Sequence, residues 1–274
     1  MPANQQQYQY WNGPGGETWA LNQARLDDML KPLSAAVVKV AAAAPGERVM
    51  DIGCGCGDTS IALAMSGAQV EAVDLSKPML DLARHRAEHR PGLSFTQADA
   101  SIEPFTSPVQ LLFSRFGVMF FDKPIEAFSH LHSGLSEGGR LVFICWQKPS
   151  ANPWMSLGGK ALRPFLPAPA ITPDPRAAGP FAFADRDFLE VVLGQAGFSE
   201  IVISSLEKEL KVADTLDEAI LIQGQVGPAA RAIAELSGDN LEKALAALRQ
   251  ALEGFMGDDG LWLGSATWLV QAKY

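Results

Sequence analysis

The chain has 274 residues, 47% of them hydrophobic and 19% charged, a balance that supports a sizeable core and excludes a disordered chain. The formal net charge of −9 tells against nucleic acid as the main partner, because phosphate binding wants a basic face. Three cysteines (Cys54, Cys56 and Cys145), no apolar leader and no membrane-length apolar run fit a cytoplasmic protein without a disulfide framework or membrane insertion.

Residues 1–20 hold Tyr8, Tyr10, Trp11 and Trp19 among Gln and Gly and lack clean periodicity. Residues 21–44 predict one or two helices: Leu26, Met29, Leu30, Leu33 and Val37 recur at helical spacing, and Pro45-Gly46 ends the run. Strand and helix then alternate. Strands are expected at 48–52, 69–74, 93–97, 109–113 and 140–146, and helices near 59–65, 77–88 and 125–135. Apolar strands alternating with helices predict a parallel sheet covered on both faces. Residues 148–184 carry eight prolines, among them Pro164, Pro167, Pro169, Pro173 and Pro175, and read as a long functional or mobile loop. Asp185 caps a helix through Phe188, Leu189, Val192 and Leu193 that Gly197 stops. A strand at 201–204, helices over 214–254 with an amphipathic stretch from Leu241 to Leu252, and a last strand from Gly264 to Tyr274 complete the chain.

The strongest motif is Asp51-Ile52-Gly53-Cys54-Gly55-Cys56-Gly57, between a strand and a helix. Glycines there let the backbone turn sharply and approach a ligand, with a helix N-terminus aimed at it; a tight turn with no ligand is the alternative. The third glycine comes one residue early for a dinucleotide fingerprint, and Asp58 stands where its last glycine belongs. Asp74 ends the second strand, where a carboxylate can accept both ribose hydroxyls or merely cap a helix. Met79 either packs on an adenine face or fills the core. Asp99, in Gln97-Ala98-Asp99-Ala100 after the third strand, suits an exocyclic amine or a turn. Three such elements on successive carboxyl ends strengthen one another, because open α/β sheets bind ligands at that rim.

With Asp74-Leu75-Ser76, Met79-Leu80, Gln97-Ala98-Asp99-Ala100, Ser114-Arg115-Phe116-Gly117 and Leu135-Ser136-Glu137-Gly138-Gly139-Arg140, residues 46–146 resemble the class I S-adenosylmethionine-dependent methyltransferases. The likeness is greatest to the small-molecule branch that includes ubiquinone/menaquinone-type enzymes. It implies a Rossmann-like α/β fold with a seven-stranded sheet, the last strand (Trp268-Leu269-Val270) antiparallel, and helical insertions. The cofactor implied is S-adenosylmethionine, with S-adenosylhomocysteine as product. The Gly53–Gly57 loop, with Gly53, Cys54 and Gly55, would approach its methionine part, Asp74 would bind its ribose, and Asp99 and Ala100 its adenine edge beside Met79, with Asp51 and Leu75 also on the cofactor side. Ser114 would meet the amino end through its backbone carbonyl, and Trp19 would join the cofactor side from the N-terminal segment. Ser114-Arg115-Phe116-Gly117 departs from the Asn/Asp-Pro-Pro-Tyr/Phe tetrapeptide of enzymes that methylate nucleobase or glutamine nitrogens.

On the acceptor side stand Tyr10, Trp11, Arg115, Trp146 and Trp154; Arg115 binds an anionic group or makes a structural ion pair. The aromatics of the proline-rich stretch either wall an apolar pocket or pack in the core. His85 and His89 share a helix face among charges, and His130 and His132 lie away from the rim, so no general base stands out. Two thiols on one turn make a poor metal site, and no metal is expected. The organisation expected is a helical lid over residues 1–45, a cofactor-binding core at 46–147 and 185–274 with a helical insertion at about 214–256, and a substrate-side insertion at 148–184. The expected activity is methyl transfer to a small, partly apolar acceptor (quinol, phenol or amine), driven mainly by positioning. A homodimer is compatible with the sequence. The alternatives are a nicotinamide-dependent oxidoreductase and a non-catalytic S-adenosylmethionine-binding regulatory subunit.

Overall fold

The computed structural model describes residues 4–167 and 174–274; Met1 to Ala3, and Pro169 and Pro173 of the proline-rich stretch, lie outside the described residues. In chain order the elements are α1 (Gln5–Trp11), α2 (Pro14–Leu21), α3 (Gln23–Ala41), β1 (Arg48–Ile52), α4 (Asp58–Met65), β2 (Gln69–Asp74), α5 (Lys77–Ala87), β3 (Leu93–Gln97) and β4 (Val109–Arg115). They continue with α6 (Pro124–Ser133), β5 (Leu135–Trp146), α7 (Pro153–Leu162), α8 (Arg186–Gln195), β6 (Ser199–Ala213), α9 (Leu216–Gln223), α10 (Pro228–Ala234), α11 (Gly238–Glu253), β7 (Met256–Gly257) and β8 (Gly260–Lys273). Among the described residues no helix is long and apolar enough to cross a membrane.

The strand order is β3-β2-β1-β4-β5-β8-β6, with β7 paired to β8. β1 through β5 pair in parallel, and β8 runs antiparallel to β5 from Arg140↔Lys273 to Trp146↔Thr267. The mixed α/β sheet with an antiparallel last strand is thus as expected, with an eighth strand added by the short β7–β8 hairpin. The central strands are buried on both faces, with Val49, Met50, Ile52, Leu111, Leu112 and Phe113 all in the core. That is why they read as apolar runs rather than as an alternation.

The chain divides into two compact units. The first comprises Met1–Trp146, Pro175–Leu206 and Thr267–Tyr274, and contains the rim formed by the carboxyl ends of β1 to β5. The second comprises Gln147–Asp174 and Glu207–Ala266. In it α7 packs against α10 and α11. Asn152, fully buried, donates to the carbonyls of Gln147 (3.1 Å) and Ala266 (3.0 Å) and accepts from the Ala266 N–H (2.9 Å).

Four expectations differ in detail. Residues 1–20 are not aperiodic coil: they form α1 and α2. α1 buries no residue of its own, so no apolar stripe could announce it. The proline-rich stretch contains α7, because Pro153 sits in the first turn, where its missing N–H is not needed. β5 starts at Leu135 rather than 140; a register shift between Val109↔Leu135 and Leu111↔Arg140 absorbs the Gly138-Gly139 turn. β6 and β8 run longer than the apolar segments suggested, over Ser199–Ala213 and Gly260–Lys273.

Candidate functional site

The glycine loop follows β1 and turns into α4. The N–H groups of Gly53 and Cys54 both reach the Val73 carbonyl, at 2.8 and 3.1 Å, which ties the loop to β2. Gly53 has φ +67°, and a Cβ there would lie 2.5 Å from the Cα of Gly117. In return, a Cβ on Gly117 would collide with the Ile52 carbonyl. The loop after β1 and the turn after β4 thus touch backbone to backbone, an approach that only glycine permits. Cys54 and Cys56 are buried beside the loop, and burial pushes both thiols up, Cys56 to about 12, so neither is a ready nucleophile. Met79 is buried with its methyl group against Gly55.

Three carboxylates stand at the ends of β1, β2 and β3. Asp51 is completely buried; its Oδ2 accepts from Thr59 (2.9 Å) and Ser60 (2.6 Å), while its Oδ1 has no partner among the described residues. Burial raises its pKa to about 6 against the pull of those two hydroxyls and of Arg115. Asp74 accepts the Gly55 N–H (2.7 Å) on one oxygen and the Ser76 N–H (2.8 Å) on the other. Burial raises its pKa too, opposed by those backbone donors. Asp99 is half-buried and bonded by Ser101 and by Asn4. Ala100 beside it is half-buried, and the Leu75 carbonyl accepts from Asn12 (2.9 Å) and Gln97 (3.0 Å).

At the end of β4 the Ser114 hydroxyl donates to the Ile52 carbonyl (2.8 Å) and accepts from the Gly117 N–H (3.1 Å), stitching the two loops together. Arg115 is held by Ser34 (2.7 Å) and Asp58 (3.1 Å) and lies 3.9 Å from Asp27. Arg86 completes the network, pairing with Asp27 (2.7 Å) and donating to the Cys56 carbonyl (2.6 Å). Of the two readings of Arg115, the geometry realises the ion pair. Phe116 adopts φ +68°, costly for a residue with a Cβ, and stacks on Trp146 at 4.1 Å between centroids and 9° between planes.

The N-terminal helices bind this rim through polar contacts. The Asn12 carboxamide accepts from the Lys77 N–H (3.0 Å) and from Gln97 (3.1 Å), and Ser76 donates to the Trp11 carbonyl (2.6 Å). Trp11 meets Tyr10, Trp19 and Phe120 edge to face at 5.1, 6.2 and 5.2 Å.

The first unit therefore brings together Asp51, Gly53, Cys54, Gly55, Asp74, Leu75, Met79, Asp99, Ala100 and Ser114 along one rim, with Trp11, Trp19 and Tyr10 on the N-terminal helices joined to it. Trp154 belongs to the second unit, buried in α7 with its carbonyl accepting from Gln223 (2.9 Å). The histidines stay apart from the rim's chemistry: His85 and His89 are exposed, His130 bonds the Glu103 carbonyl (2.7 Å), and His132 stacks on Tyr274. The sequence reading missed Asn4, Asn12, Ser101 and the Asp27–Arg86 pair. The partners of Asn4, Asn12 and the Asp27–Arg86 pair lie 59 or more residues away, so spacing along the chain carries no signal for them, whereas Ser101 bonds Asp99 two residues earlier and its Asp-x-Ser spacing was a local signal.

Residues 49–139 match the family described as a methyltransferase domain. The chain is 28% identical to a demethylmenaquinone methyltransferase of Renibacterium salmoninarum over 62% of its own length and 74% of the relative's. It is 30% identical to an uncharacterized protein of Mycobacterium tuberculosis over 56% of this chain, and spans only 58% of that relative. Among solved structures it resembles the YcgJ protein of Bacillus subtilis, with a TM-score of 0.59 at 17% identity, covering 89% of this chain and 98% of that one. A putative methyltransferase of Bacillus halodurans gives a TM-score of 0.57 at 17% identity, covering 88% and 97%. Neither the nicotinamide alternative nor that of a non-catalytic subunit finds support in these likenesses.

Proposed function

We propose that this chain is a class I S-adenosylmethionine-dependent methyltransferase, as its likeness to a methyltransferase domain and to a demethylmenaquinone methyltransferase supports, and that it methylates a small, partly apolar organic acceptor of the quinol, phenol or amine type. The observation that carries the reading is the row of Asp51, Asp74 and Asp99 on successive strand ends around a glycine loop whose Gly53 meets Gly117 backbone to backbone. Among the described residues Asp51, Asp74 and Asp99 add to Asp27 and Asp58, which already face Arg86 and Arg115, so the rim holds more acidic than basic groups, which suits a cofactor bearing a sulfonium and an ammonium group. Bound S-adenosylmethionine supplies an electrophilic methyl group on sulfur.

The chain's own residues would bind and orient. The unpartnered Oδ1 of Asp51 suits the cationic amino group, together with the Ser114 backbone. Each oxygen of Asp74 keeps acceptor capacity for a ribose hydroxyl after taking its backbone N–H. Asp99 suits the adenine amine, with Ala100 and Met79 beside it. Gly53, Cys54 and Gly55 leave space for the methionine chain. Trp11, Trp19, Tyr10 and the Phe116–Trp146 stack offer flat apolar surface for an aromatic acceptor. With no histidine at the rim, alignment of acceptor and methyl group carries most of the rate.

The helices of residues 1–45 act as a cover, supported by the Asn12 and Ser76–Trp11 contacts to the β2–α5 turn. Three free, buried thiols support a cytoplasmic address. Of the relatives, the demethylmenaquinone methyltransferases favour a quinol. The test is a screen of naphthoquinols, phenols and amines that reads S-adenosylhomocysteine formation. Acceptor-dependent product from one of these classes supports the reading; cofactor binding with no product from any of them overturns it.

A further inference from the structure

Asn4 sits at the N-terminus of α1 with φ +57°, a conformation that asparagine tolerates better than most residues. Asparagine is a favoured helix cap, yet its side chain makes no capping bond here. The carboxamide is turned instead into the rim and is buried. Its Nδ2 donates to both oxygens of Asp99, at 3.0 and 3.1 Å, and to Ser101 Oγ at 3.2 Å. Its Oδ1 accepts the Asp122 N–H at 2.7 Å. Both ends of the amide are therefore fixed, and with them the plane of the Asp99 carboxylate.

The two Asp99 oxygens are not equivalent. Oδ1 takes the Ser101 N–H (3.0 Å), the Ser101 hydroxyl (2.6 Å) and Asn4, and is saturated. Among the described residues Oδ2 takes only Asn4. It is the oxygen left to accept a further donor.

We propose that Asn4 is a positioning residue for purine recognition: by clamping Asp99 it presents Oδ2 to a 6-amino group and makes the site reject a 6-oxo purine. This rests on the reading of Asp99 as the adenine partner. A clamped carboxylate cannot turn away from a 6-oxo group, so the two acceptor oxygens stay opposed; an unclamped one can rotate and relieve the clash. Discrimination built this way is a repulsion held in place, not an added attraction.

The test is calorimetry on the whole protein with S-adenosylhomocysteine and its 6-oxo counterpart, S-inosylhomocysteine. The wild type should prefer the adenine compound by roughly tenfold or more, the scale of one bond to a charged group. Asn4→Ala should lower that ratio several-fold, chiefly by gaining relative affinity for the 6-oxo compound. Asn4→Asp, which sets like charges together, should weaken both ligands and also lose the ratio. A purely structural Asn4 would weaken both ligands equally and leave the ratio unchanged, which would overturn the proposal. So would tighter binding of the adenine compound to Asn4→Ala, since Asn4 would then be a competitor for Asp99. If Asp99→Ala keeps the full ratio, the adenine assignment fails; if the wild type binds neither compound, the assignment of the whole rim to this cofactor fails.

Discussion

Asp51→Asn tests the electrostatics of the rim directly. The carboxylate is fully buried, and burial sets its pKa at about 6, against an ordinary value of 3.8. Between those two values the folded protein keeps a proton that the unfolded chain has released. Stability is therefore greatest below the unfolded value and falls as pH rises toward and through 6. A gap of about two pKa units corresponds to roughly 3 kcal/mol, of which about half is still to be lost above pH 5. Asparagine keeps an oxygen for the Thr59 and Ser60 hydroxyls but does not titrate. Any fixed cost of the substitution cancels when the difference between the two proteins is followed with pH. Urea unfolding from pH 5 to pH 8 should show the wild type losing about 1.5 kcal/mol relative to Asp51→Asn, with the change complete by about pH 7. A flat difference across that range would refute the argument that a desolvated carboxylate titrates here. Cofactor affinity should move the other way in the wild type, rising as Asp51 ionises, and show no such rise in the variant.

Asp74→Ala should weaken S-adenosylmethionine binding by about 1.5–3 kcal/mol in calorimetry; unchanged affinity in a folded variant would remove Asp74 from the site. Gly117→Ala forces a methyl group against the Ile52 carbonyl and should cost about 1–3 kcal/mol in urea unfolding, whereas wild-type stability would mean that the two loops are not locked together. Deleting the chain through Leu21 should leave a folded protein with sharply lower cofactor affinity and turnover; near-normal kinetics would reduce α1 and α2 to a tail. Chelator should leave turnover intact, and activity lost to chelator and restored by magnesium would show that a carboxylate metal site contributes.

The sheet and the candidate rim at its carboxyl edge were legible in the sequence because their signals are local. Strands β1 to β4 are short segments marked by apolar residues, in runs or, in β3, in alternation, and each is followed within a few residues by the glycines or carboxylate that chain geometry must carry to the same edge. Asp185 as the cap of α8 was readable for the same reason: its oxygen accepts from Asp187 and Phe188, two and three residues on. Tertiary structure decided what depends on distant partners. Whether Arg115 faces an acceptor or an ion pair turns on Asp27 and Ser34, more than eighty residues earlier, and sequence spacing carries no information about that meeting. The same holds for α1, which has no apolar stripe and is held by Asn4 and Asn12 to Asp99, Leu75 and Lys77. Periodicity reports burial of one face; it is silent about a helix fixed by its polar ends.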